Sequence, residues 1–262
     1  MKARRLDVEL VDRGLVESRS LAQRLVMAGQ VRVNGQIKLK ASTKIHPSAV
    51  IEIDPGPKFV SRGGEKLEPA LLAFQILVTD RICADVGAST GGFTDCLLQN
   101  GAERVYAIDV GTGLLDWKLR NDPRVVVMEK TNARYLSSLS EQVSLATIDV
   151  SFISLKLLLP VVKTWLKPDG DLIALIKPQF EAGRKEVSRG KGVIKDREVH
   201  ARILDEILAF AGILDLGARG LICSPIRGPK GNIEFLSHFR TGRISKLEIE
   251  NLVRDVIDEI DA

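Results

Sequence analysis

The sequence predicts an α/β protein: a doubly wound, mostly parallel sheet that ends in an antiparallel hairpin, preceded by a small α+β module. Three observations carry this. From about residue 61 onward, short apolar runs alternate with helical patterns, the layout of parallel strands joined by crossover helices. The first run ends in a glycine-rich turn, Ile82-Cys-Ala-Asp85-Val-Gly87-Ala88-Ser89-Thr90-Gly91-Gly92-Phe93, and feeds a helix with Phe93, Leu97 and Leu98 on one face. The last two runs, 216–223 and 233–239, are joined by Ser224-Pro-Ile-Arg-Gly228-Pro-Lys-Gly231-Asn232, which leaves no room for a crossover helix, so they pair antiparallel.

In chain order, Leu6, Val8, Leu10 and Val11 mark a first helix ending at Gly14, and Ser18 caps a second, with Leu21, Leu25 and Val26, ending at Gly29. Val31-Arg-Val33-Asn34-Gly35-Gln-Ile37 alternates around an Asn-Gly pair, a hairpin signal, and Val50 to Ile53 adds a strand. Asp54-Pro55-Gly56-Pro57 is a stiff linker. Strands follow at 82–86, 104–109, 125–129, 145–149, 171–176, 216–223 and 233–239. Ser245-x-x-Glu248 is a capping box, and Ile249, Leu252, Val253, Val256, Ile257 and Ile260 fall on one face of a terminal helix. The expected organisation is 1–54, a linker 55–60, a main domain 61–243 and a helix over 244–262.

Composition narrows the function classes. Residues 1–60 carry 11 Lys/Arg against 6 Asp/Glu, net +5, so the other 202 residues net −1 within a total of +4. The basic surplus sits at the front, where it suits a polyanion or is a solvated face. Cys83, Cys96 and Cys223 form no C-x-x-C pair, so a reducing cytoplasm and no metal are expected. The most apolar stretch, Leu155 to Val162, contains Lys156 and Pro160, so no membrane association is expected.

The glycine turn is a ligand loop. A dinucleotide fingerprint needs glycine at Ser89, and a phosphate loop needs lysine at Phe93, so both fail. A second acid, Asp109, closes the run Val105-Tyr-Ala-Ile-Asp109, where an acid accepts from ribose hydroxyls. A nucleoside without phosphates is the ligand that remains. Asp85-x-Gly87-x-x-x-Gly91-Gly92 resembles motif I of S-adenosylmethionine (SAM) methyltransferases. That resemblance implies a SAM site made by Asp85, Gly87, Ala88, Ser89, Thr90, Gly91, Gly92, Phe93 and Asp109, with Asn132 at the adenine edge. Gly87→Val is then expected to abolish binding without unfolding. Similarly, Ser18-Arg19-Ser20-x-Ala22-x-x-Leu25 with Gly29-x-Val31-x-Val33-Asn34-Gly35 resembles the S4 RNA-binding domain. Arg4, Arg5, Arg19, Arg24 and Lys40 are its phosphate-contact candidates.

Asp149, Lys177 and Glu234 occur at strand ends, and Lys66 lies in Ser61-Arg-Gly-Gly-Glu-Lys66-Leu67. Singly, each reads as a surface charge or a buried ion pair. Together, their order resembles the K-D-K-E tetrad of FtsJ-like RNA ribose 2′-O-methyltransferases. With Gly-Ala-Ser-Thr-Gly-Gly-Phe, Ser-Phe-Ile-Ser-Leu and Lys-Pro-Gln-Phe-Glu also present, the chain resembles the TlyA family, S4-linked ribosomal RNA (rRNA) methyltransferases historically also called haemolysins. The resemblance implies a class I methyltransferase fold, ribosomal RNA or ribosomal subunits as partner, and methylation of a ribose, cytidine in that family.

The chemistry fits such a tetrad. A ribose hydroxyl is a poor nucleophile that must be held in line and relieved of its proton during attack, and Lys177 either takes that proton or positions and polarises the hydroxyl. Asp149-Val-Ser-Phe152 lacks the two prolines used in amino-group methylation, and no cysteine follows a proline as carbon-5 methylation requires, so oxygen is the acceptor left. The basic, glycine-rich stretch from Ala182 to Lys195 reads as a mobile substrate-side loop or a plain surface loop. Two other functions compete: an inactive RNA-binding protein, which the intact tetrad opposes, and a membrane-lytic protein, for which only the terminal helix, acidic on its polar face, offers a segment.

Overall fold

The computed structural model describes residues 3–54 and 56–260, so Pro55 of the expected linker lies outside the described residues. Two compact units result, Met1–Lys58 and Phe59–Ala262.

The first unit runs β1 (Arg4–Arg5), α1 (Leu6–Asp12), α2 (Arg19–Met27), β2 (Val31–Val33), β3 (Gln36–Ile37), β4 (Lys44–Ile45) and β5 (Ile51–Ile53). Asn34 and Gly35 both take positive φ, 50° and 78°, as the tight β2–β3 turn requires. The Ser18 hydroxyl accepts from Leu21 N at 3.3 Å, which caps α2. The pairing of β1 with β4 has no alternation long enough to read from sequence. Leu6, Leu10, Ala22, Val26, Val31 and Ile45 form the core. Asp7 is buried at its edge and accepts from Arg5, Arg19 and Gln23. The Arg5 guanidinium foremost, then Gln23 and Arg19, hold its carboxyl well below the usual carboxylate range despite burial.

The second unit continues with α3 (Gly63–Ala73), β6 (Ile82–Val86), α4 (Gly92–Gln99), β7 (Arg104–Ile108), α5 (Trp117–Arg120), β8 (Val125–Met128), β9 (Val143–Ile148), α6 (Leu159–Trp165) and β10 (Leu166–Ile176). It ends with α7 (Pro178–Glu181), α8 (Arg184–Arg189), α9 (Arg197–Ile213), β11 (Leu216–Cys223), β12 (Phe235–Thr241) and α10 (Lys246–Glu259). The sheet order is β11-β12-β10-β9-β6-β7-β8. Strands β6 to β10 pair parallel, while β12 is antiparallel to both β10 and β11. This is the predicted mostly parallel sheet with a terminal antiparallel hairpin. Two apolar clusters cover its faces, one under α6, α9 and α10, the other under α3 and α4.

Helix α3 was not foreseen, the last strand runs Phe235–Thr241 rather than 233–239, and two further segments differ from expectation. β10 starts at Leu166, five residues before the predicted start, with a register shift between Leu166 and Asp171 that absorbs Lys167-Pro-Asp-Gly170. The stretch read as a loop from Ala182 contains α8, whose start is closed by Glu186: its carboxylate accepts from Gly183 N at 3.1 Å, and both its oxygens accept from Arg202 Nη2, at 2.7 and 2.8 Å. The capping box at Ser245 forms as predicted, and α10 packs on α9 and β11.

Asp7→Ala removes one acceptor shared by three donors and is expected to destabilise the first unit by about 1.5–3 kcal/mol at pH 7. Hydrogen exchange of the α1 amides reads the loss. Because the folded carboxyl is depressed, its contribution is present above the unfolded value of about 3.9 and disappears as pH falls through the folded one, so the two proteins should converge in strong acid.

Candidate active site

The turn after β6 is built by backbone contacts. Gly87 N and Ala88 N both donate to Ile108 O, at 2.8 and 3.1 Å, and Asp149 N donates to Val86 O at 2.9 Å. Gly87 has φ 87°, and a Cβ there would lie 2.4 Å from the Asp149 carbonyl oxygen. A side chain at this position pushes on the end of β9 as well as on any ligand. Gly87→Val therefore strains the fold itself, a correction to the expectation that the variant stays folded.

Asp109, just past β7, accepts from Ser89 N at 2.8 Å and from Gly111 N at 2.7 Å. Ser89 takes φ 50° to make its bond. A carboxylate offers about four acceptor sites, so Asp109 keeps capacity for further donors. It lines a cavity of about 410 Å³ together with Gly87, Ser89, Ile108, Leu114 and Asn132. Asn132 Oδ1 accepts from Arg134 N at 3.1 Å.

A second cavity of about 930 Å³ is lined by Lys66, Asp149, Lys177 and Glu234, and by Gly87, Ala88, Ser89, Thr90, Gly92 and Phe93. The two cavities share Gly87, Ser89, Asp149, Ser151 and Phe152, so they meet at the ends of β6 and β9. Lys66 comes from the first turn of α3, Asp149 and Lys177 directly follow β9 and β10, and Glu234 directly precedes β12. They form two ion pairs. Lys66 Nζ donates to Glu234 Oε2 at 2.6 Å, and Lys177 Nζ lies 2.5 Å from Asp149 Oδ1, a charge contact outside hydrogen-bond directions. Both lysines are only 8% exposed and Glu234 1%. Lone buried charges are costly, and pairing answers that cost here.

Sequence reading missed several supports. Gln179 Nε2 donates to Glu234 Oε1 at 3.3 Å, and Lys177 Nζ donates to Ser151 Oγ at 3.2 Å. Glu181 accepts from Ser154 Oγ at 2.5 Å and Leu155 N at 2.8 Å, joining the Ser-Phe-Ile-Ser-Leu and Lys-Pro-Gln-Phe-Glu stretches. Burial raises the Glu181 carboxyl, and the Ser154 and Leu155 bonds oppose that rise. These residues stood inside quoted motifs, but nothing in their spacing disclosed their partners.

Two of the expected loop residues line neither cavity. Gly91, at φ 100°, closes the turn into α4, its N donating to Ala88 O at 2.7 Å. Asp85 is fully buried and accepts from Thr94 Oγ1 at 2.7 Å and Thr147 Oγ1 at 3.2 Å. Strand alternation puts it on the Cys83 side, beneath α4. Burial pushes its carboxyl up to about 7, against the Thr94 bond.

In the first unit, Arg5 and Arg19 are committed to Asp7, and Arg4 to Asp12 and Glu9. Arg24 and Lys40 are exposed. Among the described residues no helix is long and apolar enough to cross a membrane.

A nucleoside-sized cavity that opens into a lysine-lined one, at the carboxyl ends of a parallel sheet closed by an antiparallel hairpin, defines a domain of the methyltransferase class. The chain belongs to the FtsJ-like methyltransferase family, which matches residues 59–241, and an S4 domain matches residues 4–51. It is 43% identical over 262 residues to the 16S/23S rRNA (cytidine-2′-O)-methyltransferase TlyA of Mycobacterium tuberculosis, covering 97% of each chain. A solved structure from Streptococcus thermophilus, with hemolysin in its name, is 43% identical with TM-score 0.73, covering 100% of this chain and 98% of its own. Another, from Listeria monocytogenes and named for S-adenosylmethionine-dependent methyl transfer, is 14% identical with TM-score 0.52, covering 70% of this chain and 100% of its own, a likeness of fold alone.

Because the folded Asp85 carboxyl titrates near 7 rather than near 3.9, the native state binds the extra proton, and stability falls as pH rises between those values. The slope approaches about 1.4 kcal/mol per pH unit. Asp85→Asn should flatten this part of the profile in denaturant titrations from pH 4 to 8; an unchanged slope would assign the dependence elsewhere.

Proposed function

We propose that this chain transfers the methyl group of SAM to the 2′-oxygen of a cytidine ribose in ribosomal RNA, acting in the cytoplasm on ribosomal subunits. The observation that carries this reading is the junction at Gly87 and Asp149, where the cavity containing Asp109 meets the cavity containing both lysine–carboxylate pairs. The Mycobacterium tuberculosis relative bears the name of this activity.

The smaller cavity suits the nucleoside end of SAM. Asp109 has acceptor sites left for the ribose hydroxyls, and Asn132 stands on the same wall for the adenine edge. When bound, SAM supplies a methyl group activated by its sulfonium. The chain's own residues do the rest. Lys177, held against Asp149 at the junction, holds the 2′-hydroxyl in line and polarises it or takes its proton. Lys66 and Glu234 line the same cavity, and their ion pair, braced by Gln179, orients the substrate side. Asp85 serves from beneath, fixing the turn through Thr94 and Thr147.

Residues 1–54 grip the RNA and 61–243 carry the chemistry. Arg24 and Lys40 are the foremost phosphate contacts, because Arg4, Arg5 and Arg19 already serve internal carboxylates.

Lys177→Ala should lower turnover on purified 30S or 50S subunits by about 10²–10⁴-fold while SAM affinity stays within a few-fold, since the contact is made in the transition state. Lys177→Arg separates the two roles: a guanidinium keeps its proton, so an active Arg variant excludes proton abstraction. Asp109→Ala should weaken SAM binding by about 10–100-fold, from the loss of charged hydrogen bonds of roughly 1.5–3 kcal/mol; unchanged calorimetric affinity would remove the ribose assignment. Arg24→Glu with Lys40→Glu should weaken subunit binding and flatten its salt dependence without altering SAM affinity.

A further inference from the structure

The turn after β9 places two acceptors around one amine. Lys177 Nζ lies 2.5 Å from Asp149 Oδ1 and donates to Ser151 Oγ at 3.2 Å. Asp149 and Ser151 line both cavities, whereas Lys177 lines the larger one only. The lysine is 8% exposed and Ser151 is exposed, so the serine reaches the amine from the open side, at the junction of the cavities. Directly after it, Phe152 takes φ 66°, a left-handed turn that leads the chain away again.

A lysine amine is a compact head on a flexible four-carbon stem, and its direction is set by the groups it touches. The nitrogen is tetrahedral. Cε and the hydrogen bond to Ser151 set two of its directions, with the Asp149 charge close beside it, and the remaining directions follow from those two. Asp149 alone leaves the amine free to swivel about that single contact.

We propose that Ser151 is a positioning residue for methyl transfer: its hydrogen bond, beside the charge of Asp149, fixes the Lys177 amine so that a remaining direction faces the 2′-oxygen at the cavity junction. The inference rests on the ribose-methylation reading and adds a residue to it. Ser151 acts through Lys177, not on the methyl group, and its hydroxyl accepts in that contact, keeping its own O–H for a neighbouring acceptor.

The test uses full-length protein, tritiated-methyl SAM and purified 30S and 50S subunits. Ser151→Ala should lower kcat by about 10–100-fold, with KM for subunits and calorimetric SAM affinity each within threefold of the parent, the signature of a group that matters only once the transition state forms. Ser151→Thr, which restores the hydroxyl, should recover kcat to within about threefold. Adding Ser151→Ala to Lys177→Ala should cost less than a further twofold, because the two residues act as one unit. A Ser151→Ala enzyme with parental kcat overturns the proposal while leaving the ribose reading intact. So does a Thr variant as slow as the Ala variant, or a fall in SAM affinity that accounts for the whole loss. Undiminished methyl transfer by Lys177→Ala itself overturns the reading beneath, and the role of Ser151 with it.

Discussion

The close approach of the β6 turn to the end of β9 is the constraint on which the site depends. Asp149 N bonds to Val86 O, and Gly87 packs where a single carbon would lie 2.4 Å from the Asp149 carbonyl. Only glycine accepts both that contact and φ 87° without strain. The same approach makes one backbone junction the wall of two cavities, so the cavity lined by Asp109 and the one lined by Lys177 meet there.

Around this junction the charges are arranged in pairs. Two lysines and a glutamate are almost fully buried, and each lysine has its own carboxylate. Removing one partner would leave an uncompensated charge in a poorly solvated place, so the tetrad is part of the fold's stability as well as its chemistry. Its supports are neutral groups: Gln179 on Glu234, and Ser151 on Lys177. Gln179 Oε1 is itself buried without a hydrogen-bond partner among the described residues, a local cost accepted beside the Glu234 carboxylate.

Asp85 shows how a motif residue can brace the turn without lining either cavity. Its carboxyl is spent on two threonines, one from α4 and one from β9, which ties the turn to both neighbours. Asp109 is the acid that faces the cavity, and it also clamps the turn by accepting from Ser89.

The local pattern of the chain was enough for the strands, the glycine turn, the antiparallel ending and the capping box at Ser245, because strand period, turn chemistry and helix caps act over a few residues. The same holds for the placement of Asp149, Lys177 and Glu234 at strand ends, whereas the helix that carries Lys66 was not legible. Who pairs with whom was not legible. Lys66 and Glu234 are 168 residues apart, and only the order of the sheet brings them together. The inward face of Asp85 follows from α4 covering one side of β6, the β1–β4 pair from an antiparallel contact two residues long, and the closed start of α8 from Arg202 of α9 reaching Glu186. Such features are decided by packing between distant segments, whose partners a one-dimensional pattern does not name. Local pattern settles most of the elements and the chemistry their ends can hold, whereas packing between distant segments settles which charges neutralise each other and which face the open cavity.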